Sequence, residues 1–236
     1  MTESAHARTL DEEAYPAAPG VRISLRPIAN PMPVGFMALA VATLMLSALQ
    51  LGWLPVSERD HVCMVLIAFA FPLQLLGSIL GFLGRDIGVG TGMGMLGGTW
   101  LATAVVTLSC PAGVSTSPTL GVLMLAVAVG LLVPAAGAAT GKLLAAAILL
   151  AASVRFALTA GYELTGAPLW GTVSGAAGVV LCVLALYGAL ALLIEDVGKR
   201  TVLPVFRRGA GRASMAGNLR DQLGSIERES GVREQL

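Results

Sequence analysis

Leu169–Ile194 reads LWGTVSGAAGVVLCVLALYGALALLI, 26 residues without one Asp, Glu, Lys, Arg or His. Wound as an α-helix this run rises about 39 Å, more than the roughly 30 Å hydrocarbon core of a bilayer. It lacks the alternation that barrel strands require. Five runs of the same kind precede it. Together they predict six spans at roughly 34–53, 62–83, 91–110, 119–140, 143–161 and 169–194. The links are short: 57–61, 84–86, 112–118, 141–142 and 162–168. Each helix must therefore return antiparallel to the one before. The expectation is an all-α integral membrane protein with one solute path per protomer. A flexible tail (1–28) leads into a six-helix domain (29–204), and a flexible basic and polar tail (205–236) follows. A short amphipathic helix fits around Leu219 to Ile226.

The charge distribution agrees. Of 236 residues, 15 are Lys or Arg and 14 Asp or Glu, a net charge of +1; charged residues make up 12% and hydrophobic ones 56%. A soluble domain carries about 25% charge, and here most of the charge falls in the tails and links. That pattern excludes a soluble enzyme, a nucleic-acid binder and a disordered chain. Asp11, Glu12 and Glu13 stand before the first apolar run where a signal peptide needs a basic region, so none is expected. With both termini on one side, that side holds 13 of the 15 basic residues, the other holds Arg59, and Arg155 lies inside the fifth span. The positive-inside rule then makes the termini cytoplasmic, in a plasma or inner membrane. Cys63, Cys110 and Cys182 show no ligand or disulfide spacing; no metal and no cofactor is expected.

Many of the 29 glycines fall within spans. Gly90, Gly94 and Gly98 share one face, as do Gly77 and Gly81, Gly137 and Gly141, and Gly171 and Gly175. Small faces let helix backbones approach, which drives association where lipid is as apolar as leucine; they also leave room for a narrow path. Gly92 to Gly97 fits G-x-G-x-x-G, but no strand precedes it and residues 110–120 hold no acid, so it is not a dinucleotide fingerprint. There is no G-x-S-x-G or H-E-x-x-H, and both histidines (His6, His61) lie outside the spans. Nothing pairs a nucleophile with a base, and the chain reads as a non-enzyme.

Arg155 costs about 2.5–3.5 kcal/mol to insert and is a functional candidate by default. Three readings are open: snorkelling to the interface, pairing with Glu163 or with backbone carbonyls, and a cationic station facing a solute path. No carboxylate or histidine lies in mid-span, so a coupled proton would travel with the solute or through water. The start of the first span, Asn30-Pro31-Met32-Pro33-Val34-Gly35, is equally double. It is either an ordinary cap and helix start or a bent entrance whose backbone N–H groups tolerate an anion.

Asn30-Pro31-x-Pro33-x-Gly35 followed by six spans resembles the acetate uptake transporter family (AceTr, the GPR1/FUN34/YaaH group). Gln74 within Leu73-Gln74-Leu75-Leu76, and Trp100 after a Gly-rich stretch, look like that family's second and third spans. Ala185-Leu186-Tyr187-Gly188-Ala189, then Glu195-Asp196-Val197-Gly198-Lys199-Arg200 and Leu203-Pro204, resemble the close of its sixth. The resemblance covers about residues 29–205. It implies a path or vestibule past Asn30, Pro31, Pro33, Gly35, Leu39, Gln74, Leu96, Trp100, Ala151, Ala185 and Tyr187, which Arg155 would join as the cationic station read above, with Glu195, Asp196 and Arg200 at its cytoplasmic end. The loop Arg85-Asp86-Ile87-Gly88-Val89 departs from the family's Gly-Asn-Thr-Phe-Gly. Leu39, Leu96 and Ala151 stand where the family carries Phe, Tyr and Leu, so the narrowing has less bulk. The implied function is proton-linked uptake of a small monocarboxylate such as acetate, or of succinate, by a homo-oligomer, a hexamer by resemblance, embedded in lipid. Two other functions stay open: a passive channel for urea, amides or ammonia, and a membrane scaffold or sensor acting through the basic tail.

Overall fold

The computed structural model describes residues 28–111, 113–198, 200–209 and 212. Six long helices carry the fold: α1 (Met32–Gln50), α2 (Val56–Leu83), α3 (Ile87–Ser109), α4 (Pro118–Ala139), α5 (Leu143–Thr165) and α6 (Pro168–Gly198). All six are long and apolar enough to cross a membrane, and the chain is a multi-pass membrane protein. They form a closed ring in chain order. The broadest contacts run between α1 and α6, α2 and α3, and α4 and α5; the neighbours α1–α2, α3–α4 and α5–α6 complete it. Among the described residues the only β pairing is an isolated bridge between Lys142 and Arg207.

Local chemistry explains where the helices depart from the apolar windows. α1 begins two residues before the predicted 34, because Asn30 Oδ1 accepts the Met32 N–H at 3.0 Å and Pro33 sits in the first turn, where its missing N–H costs nothing. Gly52, at φ +72°, turns the chain after Gln50. α2 contains a π-turn over Leu66–Ala70. Pro72 follows it and cannot donate to the preceding turn; the wider turn accommodates that loss. α3 starts four residues early, capped by Asp86 Oδ1 on the Val89 N–H at 3.1 Å. α5 and α6 run past Glu163 and Glu195, the acids at which the apolar windows close. Both carboxylates have partners: Glu163 accepts the Ser117 N–H at 2.7 Å, and Glu195 accepts from Arg207 and Thr201. Gly166, at φ +68°, closes α5 with a tight turn.

The ring is apolar on both sides, as lipid demands. Val122, Val129 and Val133 on α4, and Val180 and Val183 on α6, are each more than half exposed. Phe36, Leu39, Leu96, Trp100, Leu131, Ile148 and Phe156 are fully buried inside. The glycines divide. A Cβ on Gly81 would lie 2.7 Å from the Gly90 backbone nitrogen, so that pair does set the α2–α3 approach, whereas Gly98 and Gly137 meet nothing within 4 Å.

After α6 the chain folds back as a strap over Arg200–Gly209. Tyr187 Oη donates to the Pro204 carbonyl at 2.9 Å, Arg207 donates twice to Glu195, at 2.6 and 3.2 Å, and the Arg208 N–H reaches the Gly141 carbonyl at 3.0 Å. Val205 is buried. Residues 205–209 thus pack on the bundle, where the sequence predicts a free extension from 205. The tail 1–27 and the predicted helix at Leu219–Ile226 lie outside the described residues.

Candidate functional site

A cavity enters the ring from each end. The one at the end where α1 starts and α6 finishes, labelled inner for convenience, has a volume of about 290 Å³; Met32, Phe36, Val89, Met93 and Leu149 line it, with Asp86 and Lys142 at its rim. Those two rim residues form an ion pair that ties the start of α3 to the turn before α5. The outer cavity, about 510 Å³, reaches from the α3–α4 loop down to Trp100, Arg155 and Phe156. At its mouth Arg59 donates to the carbonyls of Val114 (2.7 Å) and Thr107 (2.6 Å), which holds that loop in place.

Arg155 is the chemical centre of the outer cavity. It is 0% exposed, and among the described residues its Nε, Nη1 and Nη2 have no hydrogen-bond partner. The side chain does not snorkel to the surface of the bundle, because it is 0% exposed. Pairing with Glu163 is ruled out as well, because that carboxylate is eight residues away and engaged by Ser117. The guanidinium instead stands 5.8 Å from the Phe156 ring centroid, and Phe156 packs on Trp100 with centroids 5.4 Å apart. Ser47 Oγ and Gln50 Oε1 on α1 are also buried without partners.

Gly178 on α6 makes this arrangement fit. A Cβ there would lie 2.0 Å from Ser47 Oγ and 2.6 Å from Arg155 Nε. One turn earlier, a Cβ on Gly175 would lie 2.8 Å from Leu51 Cγ and 3.1 Å from Gln50 Cβ. Gly178 therefore admits Ser47 and Arg155 side by side, and Gly175 admits the end of α1 against α6. A bare guanidinium taken out of water costs several kcal/mol, so this spot holds an uncompensated demand for an acceptor, ideally an anion.

Between the cavities the ring is closed. Leu39, Leu96, Leu131 and Ala152 occupy the intervening turns of α1, α3, α4 and α5, all 0% exposed. From Leu149 to Arg155, or from Met93 to Trp100, the plug is six or seven residues deep, about 10 Å.

The other residues named from sequence fall into distinct places. Gly35, Gln74 and Trp100 form one chain: Gln74 Nε2 donates to the Gly35 carbonyl at 3.2 Å, and Trp100 Nε1 donates to Gln74 Oε1 at 2.7 Å. That chain ties α1, α2 and α3 together beside the plug. The start of α1 offers little to an anion. Pro31 and Pro33 have no N–H, Asn30 takes the Met32 N–H, and the Gly35 N–H goes to the Pro31 carbonyl. Ala151 packs on the core beside Ala152, and Ala185 is buried; neither is in a cavity wall. Tyr187 and Glu195 hold the strap, while Asp196 and Arg200 are exposed on the same end. Among the described residues the three cysteines are free, with Cys110 in the outer cavity wall, and no cluster of three metal-ligating side chains occurs. Ser47, Gln50, Phe156 and Gly178 were not singled out from sequence. A usable signal was present for Gly178, which lies three residues beyond Gly175.

The family model described as GPR1/FUN34/yaaH family matches residues 16–207. Among solved structures the chain is similar to one titled "Structure of the bacterial acetate channel SatP", at 23% identity and a TM-score of 0.68, covering 75% of this chain and 98% of that one. At that identity the likeness carries the fold alone. No curated protein sequence matches the chain.

Proposed function

The chain belongs to the GPR1/FUN34/yaaH family, and on that premise we propose that it passes a small monocarboxylate of the acetate class across the membrane, inward, with its termini in the cytoplasm. The observation that carries this reading is Arg155, buried and without a hydrogen-bond partner among the described residues, at the floor of a cavity that faces a second cavity across about 10 Å of leucine and alanine. The acetate channel of similar fold supports the substrate class.

Two protonation states share the corridor. A carboxylic acid with a pKa near 4 is about one part in a thousand neutral at pH 7. The anion therefore supplies most of the solute, and Arg155 offsets the cost of bringing it to the edge of the plug. The neutral acid crosses the plug more cheaply and grows to roughly a tenth of the solute at pH 5. Proton linkage enters through the solute itself, since the plug holds no carboxylate or histidine. Leu39 and Leu96 stand where the family carries the bulkier Phe and Tyr, so less bulk has to move for an acid longer than acetate to cross the plug.

Uptake of labelled acetate into proteoliposomes, with and without an inward proton gradient, tests the reading. Saturable uptake that short-chain acids inhibit and the gradient accelerates is expected. Uptake no faster than in protein-free liposomes overturns it. Urea competing as well as propionate would favour a channel for neutral solutes instead.

A further inference from the structure

We infer that Asp86 masks the cation at the inner mouth, Lys142, and so makes that end of the path the one that lets the anion go. This rests on the proposed monocarboxylate path and adds the residue that sets the difference in affinity between its two ends.

The two cavities are unequal in charge. The outer one ends on Arg155, whose guanidinium has no hydrogen-bond partner among the described residues. The inner one is walled by apolar side chains, glycines and Thr140, and the only charged residues among its lining are Asp86 and Lys142. Lys142 lies two helical turns from Leu149, where the plug begins. A carboxylate that has crossed the plug would meet it next and be held there, were the ammonium free. Asp86 takes that place first. Its two oxygens have separate duties: Oδ1 accepts the Val89 N–H at 3.1 Å and caps α3, while Oδ2 pairs with Lys142 Nζ. The cap fixes the carboxylate in advance, so Lys142 meets an acceptor already in position, at a lower entropic cost than capturing a free acid. Lys142 is fixed from the other side. Its backbone pairs with Arg207, and the adjacent Gly141 carbonyl accepts the Arg208 N–H at 3.0 Å. Arg207, which shares a small recess with Lys142, is itself committed to Glu195. The inner vestibule is thus neutral in sum. The two paired side chains are 30% and 31% exposed, so water competes there with any anion for what attraction is left.

Full-length protein in proteoliposomes, sorted by the orientation of a C-terminal tag, tests this. The half-saturating concentration of labelled acetate is measured from each face at pH 7, without a membrane voltage. In the unaltered protein it should be at least about tenfold higher from the face where α6 ends than from the other, the difference between a masked and an open cation. Asp86→Asn keeps the helix cap and frees Lys142. It should lower the inner value about fivefold, the scale of one partly exposed ion pair, and leave the outer value within about twofold. Adding Lys142→Met to Asp86→Asn should restore the weak inner value. Equal values from the two faces of the unaltered protein, an inner value that Asp86→Asn does not lower, or one that stays low once Lys142→Met is added overturns the assignment. A shift of the same size at both faces also overturns it and makes the pair a structural tie. Flux no faster than in protein-free liposomes overturns the monocarboxylate path, and this inference with it.

Discussion

Arg155→Leu is expected to lower transport and raise stability at once. Two unit charges about 4 Å apart attract by roughly 4 kcal/mol at an effective dielectric of about 20, and part of this is lost to desolvation of the ligand. Taking about 3 kcal/mol as the net, anion occupancy at the cavity floor falls roughly a hundredfold. Uptake at pH 7 should fall in proportion. At pH 5 the neutral fraction is about a hundred times larger than at pH 7, and its passage does not need the cation, so the loss there should be much smaller. Stability moves the other way. Arg155 is 0% exposed with none of its nitrogens bonded among the described residues. Even a buried ion pair exchanged for apolar side chains is neutral or gains about 1–4 kcal/mol, and a charge without a partner has less to lose, so Tm should rise by several degrees. The assays are acetate uptake into proteoliposomes at the two pH values and thermal unfolding in detergent. A drop in Tm, or equal loss of uptake at pH 5 and pH 7, would make Arg155 a structural residue and refute the reasoning.

Gly178→Ala places a methyl 2.0 Å from Ser47 Oγ and 2.6 Å from Arg155 Nε; it should cost about 1–3 kcal/mol in stability and weaken acetate binding, both readable from ligand-dependent melting curves. Gln74→Leu strands the Trp100 N–H and should destabilise by about 1–3 kcal/mol; it should also shift the Trp100 fluorescence, and an unchanged melting curve would contradict the clamp. Glu195→Gln removes the carboxylate that holds Arg207 and Thr201, so amide exchange over 200–209 should quicken while exchange in α3 and α5 stays the same. Leu39→Phe adds bulk to the plug, and propionate uptake should fall more than acetate uptake.

The six helices are readable from sequence because an uncharged run of about 20 residues has few alternatives in a lipid-spanning chain. Their ends are less so. Asn30, Asp86, Glu163 and Glu195 are polar, and hydropathy closes the window there, yet each finds a hydrogen-bond partner that lets its helix continue or begin. Arg155 is conspicuous in the fifth span, but its direction is hidden. α5 is apolar nearly all round, so the sequence carries little information about which face turns inward. That depends on Gly178, which lies far away in sequence on the neighbouring α6. Tyr187 illustrates the opposite case: its position suggests a path, and the fold-back of 200–209 turns it into an anchor for the strap.

The central claim is that a carboxylate meets Arg155 inside the bundle. Solid-state NMR on the protein in liposomes measures this directly, through dipolar recoupling between carboxyl-labelled acetate and nitrogen-labelled arginine. The account predicts a carboxyl-to-guanidinium distance of about 4 Å that disappears in Arg155→Lys, the span of a charge-assisted hydrogen bond plus one covalent bond. No recoupling, or a signal that Arg155→Lys leaves intact, would contradict it.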